Sequence, residues 1–148
     1  MKAHYLGHVV FYVKDLERSL RFYRDLLGFQ EVGRIFSGAA AALTSGRTHH
    51  ELLLIQVGEA PGPLEGRRRG LYHIGIKVGD SLDELRSAKK ELEQVGDQID
   101  GMSDHTVSQS LYLRDPDGNE VELYVDAEES VWKNNPAAVV SPIKPLHL

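Results

Sequence analysis

The chain has no cysteine among its 148 residues. This absence excludes disulfide bonds, thiolate metal ligands and a cysteine nucleophile. A metal site in this protein would have to use imidazole nitrogens and carboxylate oxygens. The seven histidines are therefore the main candidates both for metal binding and for proton transfer near neutral pH.

Long apolar segments and an excess of positive charge are also missing. A membrane-spanning helix needs about 20 consecutive apolar residues, and no segment of the chain approaches that length. Residues 1–13 alternate in character and contain two histidines, which is not the pattern of a signal peptide. The net charge of −5 argues against a general affinity for nucleic acid. We expect a cytoplasmic protein that binds neither membranes nor nucleic acid.

One order of predicted elements occurs twice along the chain. Alternating apolar residues indicate strands, whereas apolar residues at helical spacing after a capping residue indicate helices. The first copy is a strand, a helix and three strands, predicted at residues 5–13, 15–28, 31–36, 39–44 and 50–57. The second copy repeats this order at residues 71–78, 81–96, 98–99, 109–113 and 120–125. This internal repeat is the main architectural signal in the sequence.

The two copies predict one α+β domain built from two βαβββ modules. Module 1 is placed at about residues 4–57, a glycine- and proline-rich linker at 58–70, module 2 at about 71–126, and an extended or disordered arm at 127–148. Two such curved modules paired edge to edge would form a half-open barrel. Sheet edges and the arm would leave surface to bury, so we also expect a homodimer.

A turn between two strands organises the second module. The segment Asp115–Asn119 reads DPDGN. Its proline presets φ, its glycine accepts positive φ, and its Asp and Asn side chains can bond the local backbone. In the strand that follows, Val121, Leu123 and Val125 share one face while Glu122 lies on the other. Glu122 is therefore a carboxylate in a strand whose opposite face is apolar.

Two histidines hold the same place in the two copies. His8 lies in the first predicted strand of module 1, and His73 lies in the first strand of module 2. By strand alternation, both imidazoles face away from the side that the helix covers. In a half-open barrel, His8, His73 and the polar face that carries Glu122 would meet inside.

The repeat resembles the vicinal oxygen chelate superfamily, which comprises glyoxalases, bleomycin-resistance proteins and extradiol dioxygenases. The resemblance covers about residues 4–126. Three segments are similar to the catalytic half of the catechol-type extradiol ring-cleaving dioxygenases: HHELLL (49–54), LYHIGIKV (71–78) and DHTVSQSLYLRDPDGNEVELY (104–124). A histidine ahead of a tyrosine in the strand before the turn is more informative about this reaction than the turn itself.

The resemblance implies that His8, His73 and Glu122 bind one divalent metal ion. Two imidazoles and one carboxylate on one side of Fe(II) leave the opposite positions open for a chelating substrate and O2. The implied reaction is the O2-dependent ring cleavage of a catechol-like vicinal diol. Mn(II), Ni(II) and Zn(II) are the alternative metals.

The same resemblance implies a second group of residues near the substrate oxygens. His50 would be the acid–base histidine, His105 a second histidine and Tyr112 a hydrogen-bonding partner of the substrate. His49 and His50 are adjacent, so only one of them can point inward. We prefer His50, because it directly precedes the acidic residue and the leucines of its segment.

Two other functions remain open on the sequence. Glu51 lies near the place in module 1 that Glu122 has in module 2. A four-ligand set would resemble that of glyoxalase I, an isomerase using Ni(II) or Zn(II): His8, Glu51, His73 and Glu122. Strand alternation would let His50 or Glu51 face the metal, but not both. A ligand-sequestering resistance protein is the third class, although such proteins generally lack the metal ligands.

Overall fold

The computed structural model describes residues 1–148, which form two compact units. Unit 1 comprises Met1–Pro63 and unit 2 comprises Leu64–Leu148. Each unit is an open β-sheet with helical segments packed on it, so the α+β class and the repeated βαβββ order are confirmed. The pairing of the two modules within one domain stays a prediction, as does the homodimer.

Unit 1 contains a four-stranded sheet with the spatial order β1-β4-β3-β2. Strand β1 pairs with β4 in parallel, and the other pairs are antiparallel. The strands are β1 Val9–Val13, β2 Gln30–Ile35, β3 Ala40–Thr44 and β4 Leu52–Gln56. A 3₁₀ turn at Phe36–Gly38 joins β2 to β3. The buried face of β1 and β4 holds Phe11, Val13, Leu52 and Leu54.

Strands β1 and β4 both begin later than predicted. The ladder between them starts where the Val9 N–H donates to the Glu51 carbonyl at 2.9 Å. Residues before Val9 have no neighbouring strand in this ladder, because β4 itself begins at Leu52. His8, His50 and Glu51 therefore lie just outside the strands, and strand alternation does not orient their side chains.

The first helix changes type along its length. It begins as α1, Leu16–Leu20, and continues as a π-helix over Arg21–Leu26. Asp15 caps it as predicted, because its carboxylate accepts a hydrogen bond from the Arg18 N–H at 2.7 Å. Gly28 follows the helical region with a φ of +80°. Apolar periodicity predicts one regular helix and does not reveal the change of hydrogen-bond pattern.

Unit 2 repeats the arrangement of unit 1 and adds one strand, giving the order β5-β8-β7-β6-β9. Strand β5 pairs with β8 in parallel, and the remaining pairs are antiparallel. The main elements are β5 His73–Gly79, α2 Leu82–Val95, β6 Ile99–Asp104, β7 Ser108–Arg114 and β8 Glu120–Asp126. Strand β6 extends well beyond the predicted residues 98–99, because it pairs with β7 along its length.

Helix α2 packs on the apolar face of this sheet. A serine followed three residues later by a glutamate predicts a capping box at Ser81 and Glu84, and the structure has it. Ser81 Oγ accepts from the Glu84 N–H at 3.3 Å and donates to the Glu84 carboxylate at 2.8 Å. The fully buried side chains of the helix are Leu85 and Leu92. Leu82 and Val95 share the helical spacing of these leucines, which predicts them on the buried side. Both are exposed because they lie at the two ends of the helix. None of the helices is long and apolar enough to cross a membrane.

The arm after β8 is folded rather than extended. Two short helices, α3 Glu129–Trp132 and α4 Pro136–Val139, precede strand β9 at Lys144–Pro145. Strand β9 pairs antiparallel with the end of β6 and places Lys144 beside Asp104. The structure corrects only the conformation predicted for this arm: it contains two short helices instead of being extended or disordered, and its last strand packs on the sheet of its own unit.

The turn between β7 and β8 has the predicted chemistry. The buried Asp115 carboxylate accepts three hydrogen bonds, at 2.8 to 3.0 Å, from backbone and side-chain N–H groups of the turn. Gly118 adopts a φ of +90°, and its N–H donates to the Asp115 carbonyl. The turn connects two strands in the register that places Tyr112 beside Glu122.

Replacing Asp115 should destabilise the protein. Asp115→Ala leaves three N–H groups without their acceptor, and we expect it to lower the free energy of unfolding by about 3 kcal/mol. Asp115→Asn keeps one carbonyl oxygen and should cost clearly less. Urea unfolding followed by circular dichroism would measure both variants. Wild-type stability in Asp115→Ala would show that this carboxylate does not hold the turn.

Candidate functional site

The sheet of unit 2 has one apolar face and one polar face. The apolar face holds the buried side chains Ile74, Leu111, Leu113, Val121, Leu123 and Val125. On the polar face, in-register residues of neighbouring strands form rows, because alternate residues of each strand point to the same side. One row consists of Gly75, Glu122, Tyr112 and Gly101. The predicted residues Glu122 and Tyr112 are therefore neighbours on this face.

His73 and Glu122 are in contact on the polar face. His73 Nε2 lies 3.2 Å from Glu122 Oε2, and the two side chains are 27% and 15% exposed. The contact is diagonal, since His73 is the in-register partner of Glu120 in the parallel β5–β8 pair. A largely buried imidazole nitrogen and carboxylate oxygen at this distance can share a proton or bind one cation together.

Tyr112 connects Glu122 to His105. The Tyr112 hydroxyl donates to Glu122 Oε1 at 3.0 Å and lies 2.6 Å from His105 Nε2. Since a phenol has one hydrogen, the Tyr112 oxygen accepts from a His105 Nε2–H. Burial, together with the charge of Glu122 and the hydrogen bond to it, raises the pKa of Tyr112 well above its ordinary value. Tyr112 is therefore a protonated hydrogen-bond donor near neutral pH.

His105 lies in the turn between β6 and β7. The backbone N–H of His105 donates to the Ser108 carbonyl at 2.9 Å. The next residue, Thr106, has a φ of +72°, which is strained for a β-branched side chain. The Asp104 carboxylate accepts from the Thr106 N–H at 2.7 Å and supports this conformation. The turn thereby brings the His105 imidazole within hydrogen-bond distance of Tyr112.

Gly75 and Tyr124, for which no role is predicted from the sequence, shape the space around Glu122. A Cβ atom at Gly75 would lie 3.3 Å from the Tyr124 ring and 3.4 Å from Glu122 Oε2. The missing side chain at Gly75 therefore leaves room for both neighbours. A glycine inside a strand is a recognised sign of close approach, and alternation along β8 puts Tyr124 on the face of Glu122.

Glu120 is a second carboxylate on this face without a predicted role. Its Oε1 lies 3.3 Å from His73 Nδ1, and its Oε2 accepts from Arg114 Nη2 at 3.1 Å. A hydrogen bond to Glu120 also raises the pKa of Tyr72. Residue alternation along β8 places Glu120 on the same face as Glu122. This pattern in the sequence could have identified Glu120 as a candidate site residue.

In unit 1, the rings of His8 and His50 are in contact. Their centroids are 4.6 Å apart and their planes are tilted by 36°. The His49 ring also lies beside His50, with centroids 4.5 Å apart. Burial, together with the charges of His49 and His8, lowers the pKa of His50 below its ordinary value. Unit 1 thus brings a predicted metal ligand beside the predicted acid–base residue.

The Glu51 side chain turns toward the loop between β3 and β4. Its carboxylate accepts from the Thr44 hydroxyl at 3.0 Å and from the Ser45 N–H and hydroxyl at 2.8 and 2.9 Å. It also pairs with Arg47 at 3.1 Å. Burial alone would raise the pKa of Glu51, but these donors outweigh burial and lower it. The carboxylate therefore has a complete set of partners within its own loop.

Strand register also shows that Glu51 and Glu122 do not occupy equivalent positions in the two units. In unit 2, the residue two positions after His73 is the partner of Glu122. In unit 1, the residue two positions after His8 is the partner of Leu53. The repeat therefore puts Leu53 in the place of Glu122, and the predicted equivalence of Glu51 and Glu122 is wrong. Unit 1 has an apolar residue where a second carboxylate ligand would stand.

The donor atoms of His73 and Glu122 fit a divalent metal ion. Imidazole nitrogen and carboxylate oxygen are ligands that Fe(II), Mn(II) and Zn(II) accept, and the two atoms already converge at a largely buried position. No group of three His, Cys, Asp or Glu side chains in the structure is arranged to hold a metal ion. A complete facial set would need one more ligand to join this pair.

Unit 2 also contains a cavity of about 630 Å³ beside the arm. Its walls include Trp132 and the ion-paired side chains Lys77, Asp80 and Asp126. None of the six predicted site residues lines it. This cavity therefore lies apart from the polar row around Glu122.

Comparison with known families agrees with this architecture. Residues 5–123 match the Glyoxalase/Bleomycin resistance protein/Dioxygenase superfamily. The chain belongs to this superfamily. The match spans both modules, so the resemblance drawn from the sequence repeat is confirmed.

Several curated relatives of the chain have names of ring-cleaving dioxygenases. The chain is 37% identical over 131 residues to the catechol-2,3-dioxygenase of Bacillus subtilis (strain 168), covering 88% of this chain and 45% of the relative. It is 33% identical over 127 residues to biphenyl-2,3-diol 1,2-dioxygenase 3 of Rhodococcus globerulus, covering 82% and 63%. It is 30% identical over 159 residues to an iron-dependent extradiol dioxygenase of Rhodococcus jostii (strain RHA1), covering 92% and 49%. The chain thus spans about half the length of the curated relatives it matches.

Solved structures of the superfamily share the fold. A glyoxalase/dioxygenase from Nostoc punctiforme superposes with a TM-score of 0.71 at 21% identity, covering 84% of this chain and 92% of that chain. A lactoylglutathione lyase from Agrobacterium tumefaciens gives a TM-score of 0.64 at 25% identity, covering 84% and 96%. Proteins of different reaction class therefore share this fold, and the fold alone does not choose between them.

Glu51 should stabilise its loop rather than bind a metal. We expect Glu51→Gln to lower the free energy of unfolding at pH 7 by about 1 to 2 kcal/mol and to leave metal content unchanged. Because the folded state lowers the pKa of Glu51, its contribution is fully present above the unfolded pKa of about 4.3 and is lost as the pH falls through the lowered value. Urea unfolding at about pH 7, 5 and 3 would follow this loss. Metal loss with unchanged stability would contradict the assignment.

Proposed function

We propose that the chain is a non-haem Fe(II)-dependent extradiol dioxygenase that cleaves a catechol-like vicinal diol with O2. The observation that carries the proposal is a connected series of side chains on the polar face of unit 2: His105, Tyr112, Glu122 and His73. This series combines two candidate metal ligands with a protonated phenol and a second imidazole. The dioxygenase names of three relatives support the same reaction class.

In this proposal, His8, His73 and Glu122 hold the ferrous ion. When bound, such an ion would supply Lewis-acid and redox chemistry toward a chelating diol and O2. The Glu122 carboxylate offsets part of the metal charge. The two imidazoles provide neutral nitrogen ligands, as a chain without cysteine requires.

Tyr112 and His105 would act on the substrate oxygens. The Tyr112 hydroxyl can redirect its hydrogen bond from Glu122 to a substrate oxygen without gaining or losing a proton. The ring centroids of His73 and Tyr112 are 5.9 Å apart, so an oxygen beside the His73 nitrogen would be within reach of the phenol. His105 holds the phenol in place from the other side through its hydrogen bond to the hydroxyl oxygen.

His50 would be the acid–base residue. Its ring contacts that of His8, so a proton acceptor lies beside one of the proposed ligands. A neutral imidazole can take a proton from a substrate hydroxyl and return it after ring opening. The side chain is half-buried, which leaves a path for proton exchange with solvent.

A glyoxalase-type isomerase is the competing function. The likeness to a lactoylglutathione lyase favours it. Leu53 in the position of a second carboxylate ligand and the engagement of Glu51 in its loop weigh against it.

Anaerobic metal loading followed by two assays would test the proposal. We expect about one equivalent of Fe(II) per chain, a yellow ring-opened product from catechols and O2, and no isomerisation of methylglyoxal hemithioacetal. His73→Ala should lose both metal and product while keeping its circular dichroism spectrum. His147→Ala, at an exposed histidine of the arm, is the matched control and should behave as wild type. Isomerisation of the hemithioacetal without ring cleavage would overturn the proposal.

His50→Ala should separate binding from chemistry. We expect this variant to keep Fe(II) and catechol binding but to lower the rate of ring cleavage at least about 100-fold, because the proton acceptor is gone. His4→Ala removes another exposed imidazole of unit 1 and should change the rate little. Single-turnover measurement of ring opening would compare the two. Equal losses in both variants would rule out a specific acid–base role for His50.

A further inference from the structure

A row of four ionisable side chains crosses the sheet of unit 2 beside the proposed metal ligands. Its members are His73 on β5, Glu120 on β8, Arg114 on β7 and Asp100 on β6. Within this row Glu120 contacts His73 and Arg114, and from outside the row it also accepts a hydrogen bond from Tyr72. Arg114 Nε in turn donates to Asp100 Oδ2 at 3.0 Å. The contacts therefore continue across four strands, and the proposed function uses only their first member.

Backbone register fixes the middle of this row. Glu120 is the in-register partner of His73 in the parallel pair and of Arg114 in the antiparallel pair. Neighbours of this kind have Cβ atoms about 5 Å apart, so the carboxylate reaches both without leaving the sheet. Only 9% of Glu120 is exposed. A carboxylate this deeply buried is costly unless its oxygens are paired.

The two oxygens of Glu120 determine where the His73 hydrogen lies. Oε2 is occupied by Arg114 Nη2, and Oε1 faces His73 Nδ1. Both imidazole nitrogens face a carboxylate oxygen, but only the Nδ1–Glu120 contact has the geometry of a hydrogen bond. A neutral His73 that makes this bond carries its one hydrogen on Nδ1, because a carboxylate only accepts. The Nε2 lone pair is then left 3.2 Å from Glu122 Oε2. Two lone pairs at that distance repel unless a cation lies between them.

We propose that Glu120 is the positioning residue that prepares His73 for metal binding. It holds the hydrogen on Nδ1, fixes the ring orientation and presents Nε2 on the side of Glu122. Arg114, itself bound to Asp100, holds Glu120 in the required orientation. The metal part of this inference rests on the proposed function, whereas the tautomer of His73 is a property of the chain itself.

The tautomer can be measured in metal-free protein by ¹H–¹⁵N correlation of the imidazole nitrogens at about pH 9, where an ordinary imidazole is neutral. We expect wild-type His73 to carry its hydrogen on Nδ1. Glu120→Gln offers one accepting and one donating group. Because Arg114 can only donate, the amide oxygen should face Arg114 and the amide N–H should face His73, moving its hydrogen to Nε2. If wild-type His73 carries its hydrogen on Nε2, the proposal is wrong, and the wild-type spectrum alone is enough to show this.

Zn(II) affinity, measured by competition with a chelating dye, gives a second readout. We expect Glu120→Gln to bind Zn(II) about 10- to 100-fold more weakly, as is typical when such an outer hydrogen bond is lost. Adding Arg114→Met frees the amide oxygen to accept from His73 again. The double variant should therefore recover the Nδ1–H tautomer and most of the affinity. Glu91→Gln, an equal charge change on the exposed side of α2, should change neither.

The outcomes distinguish this inference from the proposed function. Wild-type protein that binds no metal, but whose His73 tautomer changes in Glu120→Gln, would refute the dioxygenase and support the positioning role. Wild-type protein that cleaves catechol, with the same tautomer and affinity in Glu120→Gln, would overturn the positioning role alone. A residue that only supports folding would lower thermal stability in Glu120→Gln, and removing a further ion pair at Arg114 would not rescue it.

Discussion

The parallel pairing of β5 with β8 is the constraint on which the candidate site depends. It puts His73 directly beside Glu120 and diagonally beside Glu122. A slip of one residue would turn both carboxylates to the face packed against α2. The antiparallel pair of β7 and β8, whose connecting turn is held by Asp115, then supplies Tyr112 from the other side. The polar contacts of the site are the product of two strand registers.

The two units have the same strand order but unequal chemistry. Unit 2 has carboxylates at both polar-face positions of β8 that can reach His73. In unit 1, the position that matches Glu122 is taken by Leu53, and the nearby Glu51 holds a loop together. Unit 1 instead contributes two imidazoles in contact. The two copies of the repeat thus share their strand arrangement but differ in the side-chain atoms that could bind a metal ion.

Features fixed by neighbouring residues could be predicted from the sequence, and features fixed by distant pairing could not. The Asp115 turn and the Ser81 cap depend on side chains within a few positions, and both form as expected. The starts of β1 and β4 depend on how far the two strands overlap, so the prediction extended both too far.

The same difference between local features and features set by distant pairing holds for the candidate site. Alternation puts Glu120 and Glu122 on one face but cannot tell them apart, because their roles differ only through their register with His73. The approach of His105 to Tyr112 requires a positive φ at Thr106. This is a conformation that a β-branched residue disfavours. A prediction from local preference would therefore not find this contact.

Strand β9 has a consequence for the behaviour of the protein in solution. An uncovered edge strand offers unpaired backbone groups to any other extended chain. In unit 2, Lys144–Pro145 covers the end of β6, its proline has no N–H to offer outward, and the irregular pairing around Asp100 interrupts the remainder of the edge. Loss of these few residues would expose a template for intermolecular β-sheet growth. Aggregation, rather than a change in chemistry, would then be the first defect to appear.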